Sequence, residues 1–225
     1  MGVTERKITA LKAQKRNRSR VSVYLDGEYA FGLARIVAAW LHVGQVLNEE
    51  KIAEFIAQDA RESAYQQALR LLNHRDRSTS EIIQSLKRRQ VPEEVIQDVL
   101  TRLRRSGLVD DGRFAKTWVE NRAEFHPRSS RALAYELREK GVEQEAIQQA
   151  LDDFNEDDAA YQAARKYAQK LKMLEWPEFR QKLTAYLARR GFNYDTARTA
   201  VSRIRAERDS QDATENTPLY EEVDL

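Results

Sequence analysis

Three pairs of adjacent aspartates are the residues of this chain that could support metal-dependent chemistry: Asp110-Asp111, Asp152-Asp153 and Asp157-Asp158. Carboxylate oxygens are the ligands that Mg²⁺ prefers, so such pairs are compatible with a metal-dependent nuclease. Each pair, however, lies at a predicted helix junction, where aspartate caps the first turn of a helix. Adjacent side chains on a helix point about 100° apart and form no clamp without further ligands. Helix capping is therefore the favoured interpretation.

The other residue types leave little material for catalysis. The three histidines, His42, His74 and His126, are far apart in the sequence and show no metal-ligand spacing. Cysteine is absent, which excludes disulfides and thiolate chemistry. The eight glycines form no phosphate-binding loop and no nucleophile motif. We therefore predict that the protein is not an enzyme and has no catalytic residue, bound metal or cofactor.

Clusters of basic side chains are the remaining functional candidates. A cation at the end of a helix also complements the helix dipole, and one run of charges is usually only a solvated face. Several clusters aligned by stacked repeats could still neutralise the phosphates of a nucleic acid. Nothing resembles a reader of base edges, so sequence-specific DNA recognition is the weaker hypothesis. The hypothetical residues for binding DNA or another charged partner are Lys87, Arg88, Arg89, Arg104, Arg105, Arg165, Lys166, Lys170, Lys172, Arg189 and Arg190.

The composition predicts long helices rather than a turn-rich β-structure. The 225 residues include only 8 glycines and 4 prolines, well below average usage. Charged residues make up 33% and hydrophobic residues 41%, which favours a thin, well-hydrated helical structure over a compact globule. The sequence shows neither a signal peptide nor a run of eighteen apolar residues. We therefore predict a cytoplasmic protein with no membrane association.

Charge is segregated along the chain, although the formal net charge is only +2. Residues 1–20 carry a net charge of +6 and residues 159–208 carry +8. Residues 111–158 carry −5 and residues 209–225 carry −6. Basic segments of this kind can bind polyanions. We interpret residues 1–20 as a basic N-terminal arm and residues 209–225 as a disordered acidic tail.

Residues 21–60 predict a β-hairpin followed by helix. Apolar residues alternate on both sides of Asp26-Gly27, a dipeptide typical of a two-residue hairpin turn in which both residues take positive φ. Asn48 is expected to cap a helix, and the apolar stripe from Ile52 to Leu72 fits either one long helix or two helices joined by a kink near Asp59. Between the hairpin and the helix capped by Asn48, the sequence predicts a short helix with one apolar face, from the spacing of Leu33, Ile36, Val37, Trp40 and Leu41.

A repeat of about 50 residues is the most informative feature. Ile82, Leu86, Val91, Ile96 and Leu100 recur as Leu133, Leu137, Val142, Ile147 and Leu151, and again as Leu183, Leu187, Phe192, Ala197 and Val201. Gly141 and Gly191 share one helix-ending position, which Gln90 occupies in the first unit. The units are predicted to be three-helix repeats covering 61–110, 111–158 and 159–208, with Ser78 as a helix cap in the first and Ser129-Ser130 at the equivalent place in the second. The predicted fold class is mainly α, with tandem three-helix repeats in an elongated curved array and a short N-terminal β-hairpin. Aromatic residues on the same stripes are predicted to pack in the cores rather than to stack on bases: Phe114, Trp118, Tyr161, Tyr167, Trp176 and Tyr186.

The segment from Gly107 to Ala115, with its run Leu108-Val109-Asp110-Asp111-Gly112-Arg113-Phe114, resembles the central motif of the RecX family. Trp118 and Arg122 follow it as that motif expects, and Ser78, Glu81, Ile82 and Leu86 precede it. Leu133, Glu136-Leu137 and Lys140-Gly141-Val142 extend the match. The resemblance covers residues 60–205 well and the hairpin more loosely; Gln90 and the acidic tail depart from it.

The resemblance implies a bacterial protein that binds the filament of RecA recombinase on single-stranded DNA. Family members inhibit the ATPase, strand-exchange and coprotease activities of RecA, and so modulate recombinational repair and the SOS response. We expect a monomer whose partners are the RecA filament and DNA, single-stranded or double-stranded. Two alternatives stay open: a helical repeat protein that binds DNA independently of RecA, and a magnesium-dependent nuclease using Asp110 and Asp111.

Overall fold

The computed structural model describes the backbone of residues 5–215 and the side chains of residues 5–210. These residues divide into two compact units, one ending at Asp110 and the other beginning at Asp111. The first unit contains a β-sheet and one three-helix repeat, and the second contains two further repeats. No helix in the described part of the chain is long and apolar enough to span a bilayer.

The sheet of the first unit has four antiparallel strands in the order β3-β2-β1-β4. They are β1 (Arg6–Ala13), β2 (Arg20–Leu25), β3 (Glu28–Ala34) and β4 (Val46–Leu47). The predicted hairpin is confirmed: β2 pairs with β3, and Asp26 and Gly27 have φ of 52° and 93°. The interpretation of residues 1–20 as an arm is corrected, because β1 pairs along its length with β2 and through Arg6 and Lys7 with β4. Its apolar residue Ile8 is completely buried, which explains why this basic segment folds into the sheet.

The short helix after the hairpin differs from the sequence prediction. Helix α1 covers only Arg35–Ala38, and Leu33 is a buried residue of strand β3, which ends at Ala34. Trp40 lies beyond the helix with 83% of its surface exposed, and Ile36 is 62% exposed. The spacing suggested one apolar face, but a strand end and a four-residue helix do not share a common face.

Helix α2 (Glu49–Leu72) is a single continuous helix that links the sheet to the first repeat. Asn48 caps it as predicted, with its side-chain oxygen 2.8 Å from the Lys51 amide nitrogen. Asp59, where a kink was considered, instead ties the helix to the sheet. Its carboxylate accepts hydrogen bonds from Arg20 at 2.7 Å and from the Ala34 amide at 2.5 Å. Both partners lie on strands, so α2 is fixed against the sheet before it enters the repeat.

Three tandem three-helix repeats make up the rest of the described chain, which confirms the prediction of a mainly α fold built from such repeats. The first combines the end of α2 with α3 (Thr79–Lys87) and α4 (Glu93–Arg105). The second consists of α5 (Asp111–Phe125), α6 (Ser130–Glu139) and α7 (Gln144–Leu151). The third contains α8 (Glu156–Ala168), a 3₁₀ turn (Gln169–Leu171), α9 (Trp176–Arg189) and α10 (Tyr194–Glu215). Thirteen of the fifteen recurring apolar residues are buried, and the other two, Val91 and Leu151, are half-buried beside the same cores.

The junction after the middle helix has the same backbone conformation in all three repeats. Gln90, Gly141 and Gly191 have φ of 59°, 70° and 91°. Glycine accepts this left-handed conformation without strain, whereas a residue with a Cβ atom does so at a cost of roughly 1–2 kcal/mol. Gln90 thus differs from the glycines of the other two repeats in residue type only, because the first repeat keeps the same left-handed turn.

The last helix extends further than the sequence suggested. Helix α10 continues to Glu215, so the first residues of the segment interpreted as a disordered tail, 209–215, are helical. Near the start of this extension, Arg205 Nε lies 3.6 Å from the carboxylate of Asp209 one turn later. The remainder of the predicted tail, residues 216–225, lies outside the described part of the chain.

Candidate functional site

The predicted cations of the first repeat lie at the ends of two helices. Lys87 ends α3 and is followed by Arg88 and Arg89, and Arg104 and Arg105 end α4; all five are exposed. Lys87 forms a salt bridge with Glu93, in which its ammonium nitrogen lies 2.9 Å from a carboxylate oxygen. That hydrogen bond, with a second from Gln97, lowers the pKa of Glu93. The remaining four guanidinium groups have no ion-pair partner among the described residues and stay accessible to an external anion.

Arg102, the neighbour of the α4 cluster, has a structural role instead. Its guanidinium carbon lies 3.6 Å from the centre of the Tyr65 ring, and its Nη1 is 2.7 Å from a carboxylate oxygen of Glu62. Glu62 and Tyr65 are both buried on α2. The charge on Glu62 is therefore compensated inside the repeat, and Arg102 clamps α4 to α2.

The basic residues of α8 and the following turn lie on the surface of the third repeat. Arg165, Lys166, Lys170 and Lys172 are all exposed. Lys166 also donates a hydrogen bond to the backbone carbonyl of Glu124, near the end of α5. Three of these four cations are thus available to a ligand, and Lys166 additionally links the second and third repeats.

Arg189 and Arg190, adjacent in sequence, have different environments. Arg189 is exposed, whereas Arg190 is half-buried with its guanidinium 5.0 Å from the centre of the Tyr186 ring. Arg190 Nη1 donates to the Pro127 carbonyl at 3.3 Å, and the Arg190 carbonyl accepts from the Ser129 amide at 3.2 Å. Arg190 therefore holds the third repeat against the second, and of this pair only Arg189 has its charge directed to solvent.

A basic groove between α9 and α10 was not identified from the sequence. Arg180 of α9 and Arg198 and Arg205 of α10 line this groove, which has a volume of about 530 Å³. Trp176 and Tyr194 also line it, and Thr184 and Ser202 contribute hydroxyl groups. None of the described residues lining the groove is acidic. The signal in the sequence is their spacing, since residues 176, 180 and 184, and residues 194, 198 and 205, each recur on one helical face.

An acidic pocket of about 330 Å³, lined mainly by the second repeat, lies between α5 and α7 of that repeat and α8 of the third. Val119, Phe154 and Ala159 form part of an apolar floor, and Asp153 and Asp158 stand at the rim. Glu120 and Lys116 also line it. Such a pocket suits the alkyl chain and charged head of a lysine or arginine from another molecule.

The paired aspartates occupy helix ends. Helix α5 begins at Asp111, which places Asp110 at its cap, and Asp152-Asp153 follow the last residue of α7. Asp157 and Asp158 lie in the first turn of α8, where Asn155 caps the helix through the Asp158 amide at 2.9 Å. Within the described chain, no three histidine, aspartate or glutamate side chains are grouped as metal ligands would be.

The aromatic residues predicted to pack in the cores do so to different extents. Phe114 and Tyr161 are buried, and the Tyr167 and Tyr186 rings stack with centres 4.0 Å apart. Trp118 is half-buried and donates to Glu136 at 2.9 Å. Trp176 packs on Phe179, with its half-exposed edge in the basic groove. It therefore belongs both to the core and to the groove.

Comparison with known proteins accounts for most of the chain. Four RecX domain descriptions match in order: the regulatory protein RecX N-terminal domain at residues 6–48 and the first, second and third three-helix domains at 64–103, 110–151 and 155–201. The regulatory protein RecX of Bacillus subtilis is 30% identical over 220 residues, which cover 96% of this chain and 83% of that protein. The RecX of Limosilactobacillus reuteri is 33% identical over 193 residues, which cover 83% and 72%.

Solved structures show the same fold. A crystal structure of regulatory protein RecX is 30% identical, with a TM-score of 0.65 over 85% of this chain and 96% of the other. The structure of RecX from Lactobacillus salivarius, 20% identical, has a TM-score of 0.58 over 66% of this chain and 99% of the other. The matched domains, the identity to curated relatives and the shared repeat architecture together establish that the chain belongs to the RecX family of regulatory proteins.

Proposed function

We propose that this protein binds the RecA filament on single-stranded DNA and inhibits its ATPase, strand-exchange and coprotease activities, thereby modulating recombinational repair and the SOS response. The observation that carries the proposal is the ordered match of all four RecX domains, three of which coincide with the tandem helical repeats. A regulator of a filament acts through contact surfaces, and the described residues offer charged surfaces of both signs.

The two signs of charge have separate roles in this proposal. The exposed cations of the first and third repeats, together with the basic groove, face DNA phosphates or acidic side chains of RecA. The acidic pocket of the second repeat accepts a basic side chain of the filament. Complementary charge of this kind accelerates association and fixes the register of a complex more than it raises affinity. Inhibition should therefore weaken as the salt concentration rises.

The test is ATP hydrolysis by RecA on single-stranded DNA as purified protein is added. We expect inhibition at amounts well below one protein per RecA monomer, because blocking a filament at a few points affects many subunits. Arg189→Glu should weaken inhibition, since Arg189 is exposed and has no ion-pair partner among the described residues. Unchanged ATP hydrolysis at a molar excess of the wild-type protein would refute the proposal.

The alternative function is binding of DNA independently of RecA. The arginine-lined groove of the third repeat is the observation that favours it. A protein of this kind would bind duplex or single-stranded DNA with a steep salt dependence and would leave RecA ATP hydrolysis unaffected once DNA is in excess. Titrating DNA into the ATPase assay separates the two functions.

Location and oligomeric state follow as further parts of the proposal. A regulator of RecA must act where the bacterial chromosome lies, so we propose a cytoplasmic protein. We propose that it acts as a monomer, because each repeat buries its recurring apolar residues within its own unit. Analytical ultracentrifugation at micromolar concentration tests the oligomeric state directly.

A further inference from the structure

We propose that the basic groove between α9 and α10 is a binding site for single-stranded DNA, with Arg180, Arg198 and Arg205 on the phosphates and Tyr194 as a stacking platform for one base. This inference deepens the proposed function and rests on it only for the biological context of the DNA. The groove is a surface of the third repeat alone, formed by α9 and α10.

The arginines are arranged to accept a chain of phosphates rather than a single anion. Arg198 and Arg205 are seven residues apart on α10, which corresponds to two helical turns and about 10 Å along the axis. Arg180 lies on the opposite wall, on α9. Because none of the described lining residues is acidic, the three arginines give the lining of the groove a net positive charge.

Two of the three guanidinium groups are uncommitted and the third is held in place. Arg180 and Arg198 are exposed and make no ion pair or ring contact among the described residues. Arg205 lies 4.8 Å from the centre of the Trp176 ring and 3.6 Å from Asp209. Its position at one end of the groove is therefore fixed before a ligand arrives, which reduces the entropy lost on binding.

Tyr194 distinguishes a nucleic acid from an acidic protein surface as the ligand. It is the first residue of α10 and is 69% exposed, so its ring is open to solvent beside Arg198 one turn later. Trp176 cannot serve as a platform in the same way, because its ring contacts Phe179 and Arg205. An exposed ring next to phosphate-binding arginines is the arrangement by which proteins hold unpaired bases, whereas carboxylates would need only the arginines.

A single strand is favoured over a duplex because the platform requires an accessible base face. In a duplex each base face is covered by its neighbours, so Tyr194 would have no surface to stack on. Thr184 and Ser202 add hydroxyl groups that can donate to phosphate or sugar oxygens. A second depression of about 670 Å³ along α9 shares Trp176, Arg180 and Thr184 with the groove and offers a path for the strand beyond it.

Binding of the full-length protein to fluorescein-labelled oligo(dT), measured by anisotropy over a salt series without RecA, tests the site. Arg180→Gln/Arg198→Gln should reduce the slope of log affinity against log salt by about 1.4, at about 0.7 per phosphate contact on a single strand. Tyr194→Ser should weaken binding about five- to hundredfold with little change of slope, and Tyr194→Phe should retain wild-type affinity. On an abasic strand, Tyr194→Ser and the wild type should bind equally.

The matched control is Arg131→Gln/Arg138→Gln. These two exposed arginines lie seven residues apart on α6 and have no ion-pair partner among the described residues. Replacing both changes the net charge by the same amount as Arg180→Gln/Arg198→Gln. The control should keep the wild-type slope; an equal loss of slope would show that only total charge matters and would overturn the site.

RecA ATP hydrolysis, assayed separately, distinguishes failure of this inference from failure of the proposed function. Groove variants that bind oligo(dT) as the wild type does but no longer inhibit RecA would identify the groove as a protein contact and overturn the DNA site. A wild-type protein that leaves RecA unaffected, while its groove variants lose oligo(dT) binding as described, would support the site and refute the proposed function.

Discussion

Gly191→Ala should destabilise the junction between the second and third repeats by more than the free-energy cost of the backbone conformation alone. Gly191 has a φ of +91°, which costs a residue with a Cβ atom roughly 1–2 kcal/mol. An added Cβ would also lie 2.6 Å from Ser129 Oγ and 3.1 Å from Ala132 Cβ. Ser129 Oγ caps α6 by accepting from the Ala132 amide at 3.2 Å, so displacing it forfeits a cap worth about 1 kcal/mol. Together these effects predict a loss of about 2–3 kcal/mol.

Native-state hydrogen exchange is the appropriate assay, because it reports the free energy of opening segment by segment. Gly191→Ala should accelerate exchange in the first turn of α6 and the last turn of α9. Gly44→Ala is the matched control: Gly44 has a φ of +96° and nothing within 4 Å of the added Cβ, so it measures the backbone cost alone.

The steric contribution is isolated by a double-mutant cycle with Ser129→Ala. Removing Ser129 Oγ abolishes both the cap and the closest contact, so Gly191→Ala should cost about 1 kcal/mol less in that background. Equal destabilisation by Gly191→Ala and Gly44→Ala, or strict additivity of Gly191→Ala and Ser129→Ala, would refute a steric contribution at this junction.

Three further predictions concern single side chains. Gln90→Gly should raise the free energy of unfolding of the first unit by up to about 1 kcal/mol in urea denaturation, because Gln90 holds a φ of 59° that glycine adopts without strain; a loss of stability would contradict this. The hydrogen bond that Tyr161 donates to Glu207 raises the pKa of Tyr161, and burial adds a smaller effect in the same direction. The protonated hydroxyl therefore stabilises the third repeat fully below about pH 10, and this stabilisation is lost as the pH rises through the raised pKa. Tyr161→Phe should remove that alkaline step in a pH series of thermal unfolding, and a step that persists would show that another group titrates. Arg190→Gln should lower the melting temperature while Arg189→Gln leaves it unchanged, since only Arg190 bonds to the second repeat; equal melting temperatures would refute the structural role of Arg190.

The repeat architecture could be predicted from the sequence because burial imposes a strong and periodic constraint. Leu86, Leu137 and Leu187 are completely buried at the equivalent position of the three repeats. Close packing therefore restricts each of these positions to an apolar side chain, and the restriction recurs with the repeat. The hairpin was predictable for a similarly local reason, since Asp26 and Gly27 carry the turn in their own φ angles.

Predictions that depended on a short pattern were less secure. The helix expected around Trp40 is predicted from five apolar residues at helical spacing. Strand β3, however, extends through Ala34 and includes Leu33, the first of these five residues. Pairing of β3 with β2 outweighs the local periodicity there. The interpretation of residues 1–20 as an arm is wrong for the converse reason: the charges of this segment are conspicuous, but its apolar residue Ile8 is buried in a strand.

The basic residues show why charge clusters in a sequence are a poor guide to a binding surface on a helical protein. Consecutive residues on a helix point about 100° apart, so a pair such as Arg189 and Arg190 is divided between solvent and a repeat junction. Residues four or seven apart share a face, and Arg198 and Arg205 line one groove although no run of basic residues marks them in the sequence. Arg180 joins them only because α9 packs against α10, a contact set by buried residues such as Leu187 and Val201. Charge on such a surface is therefore specified jointly by helical spacing and by the apolar core, and it becomes recognisable once the helices are paired.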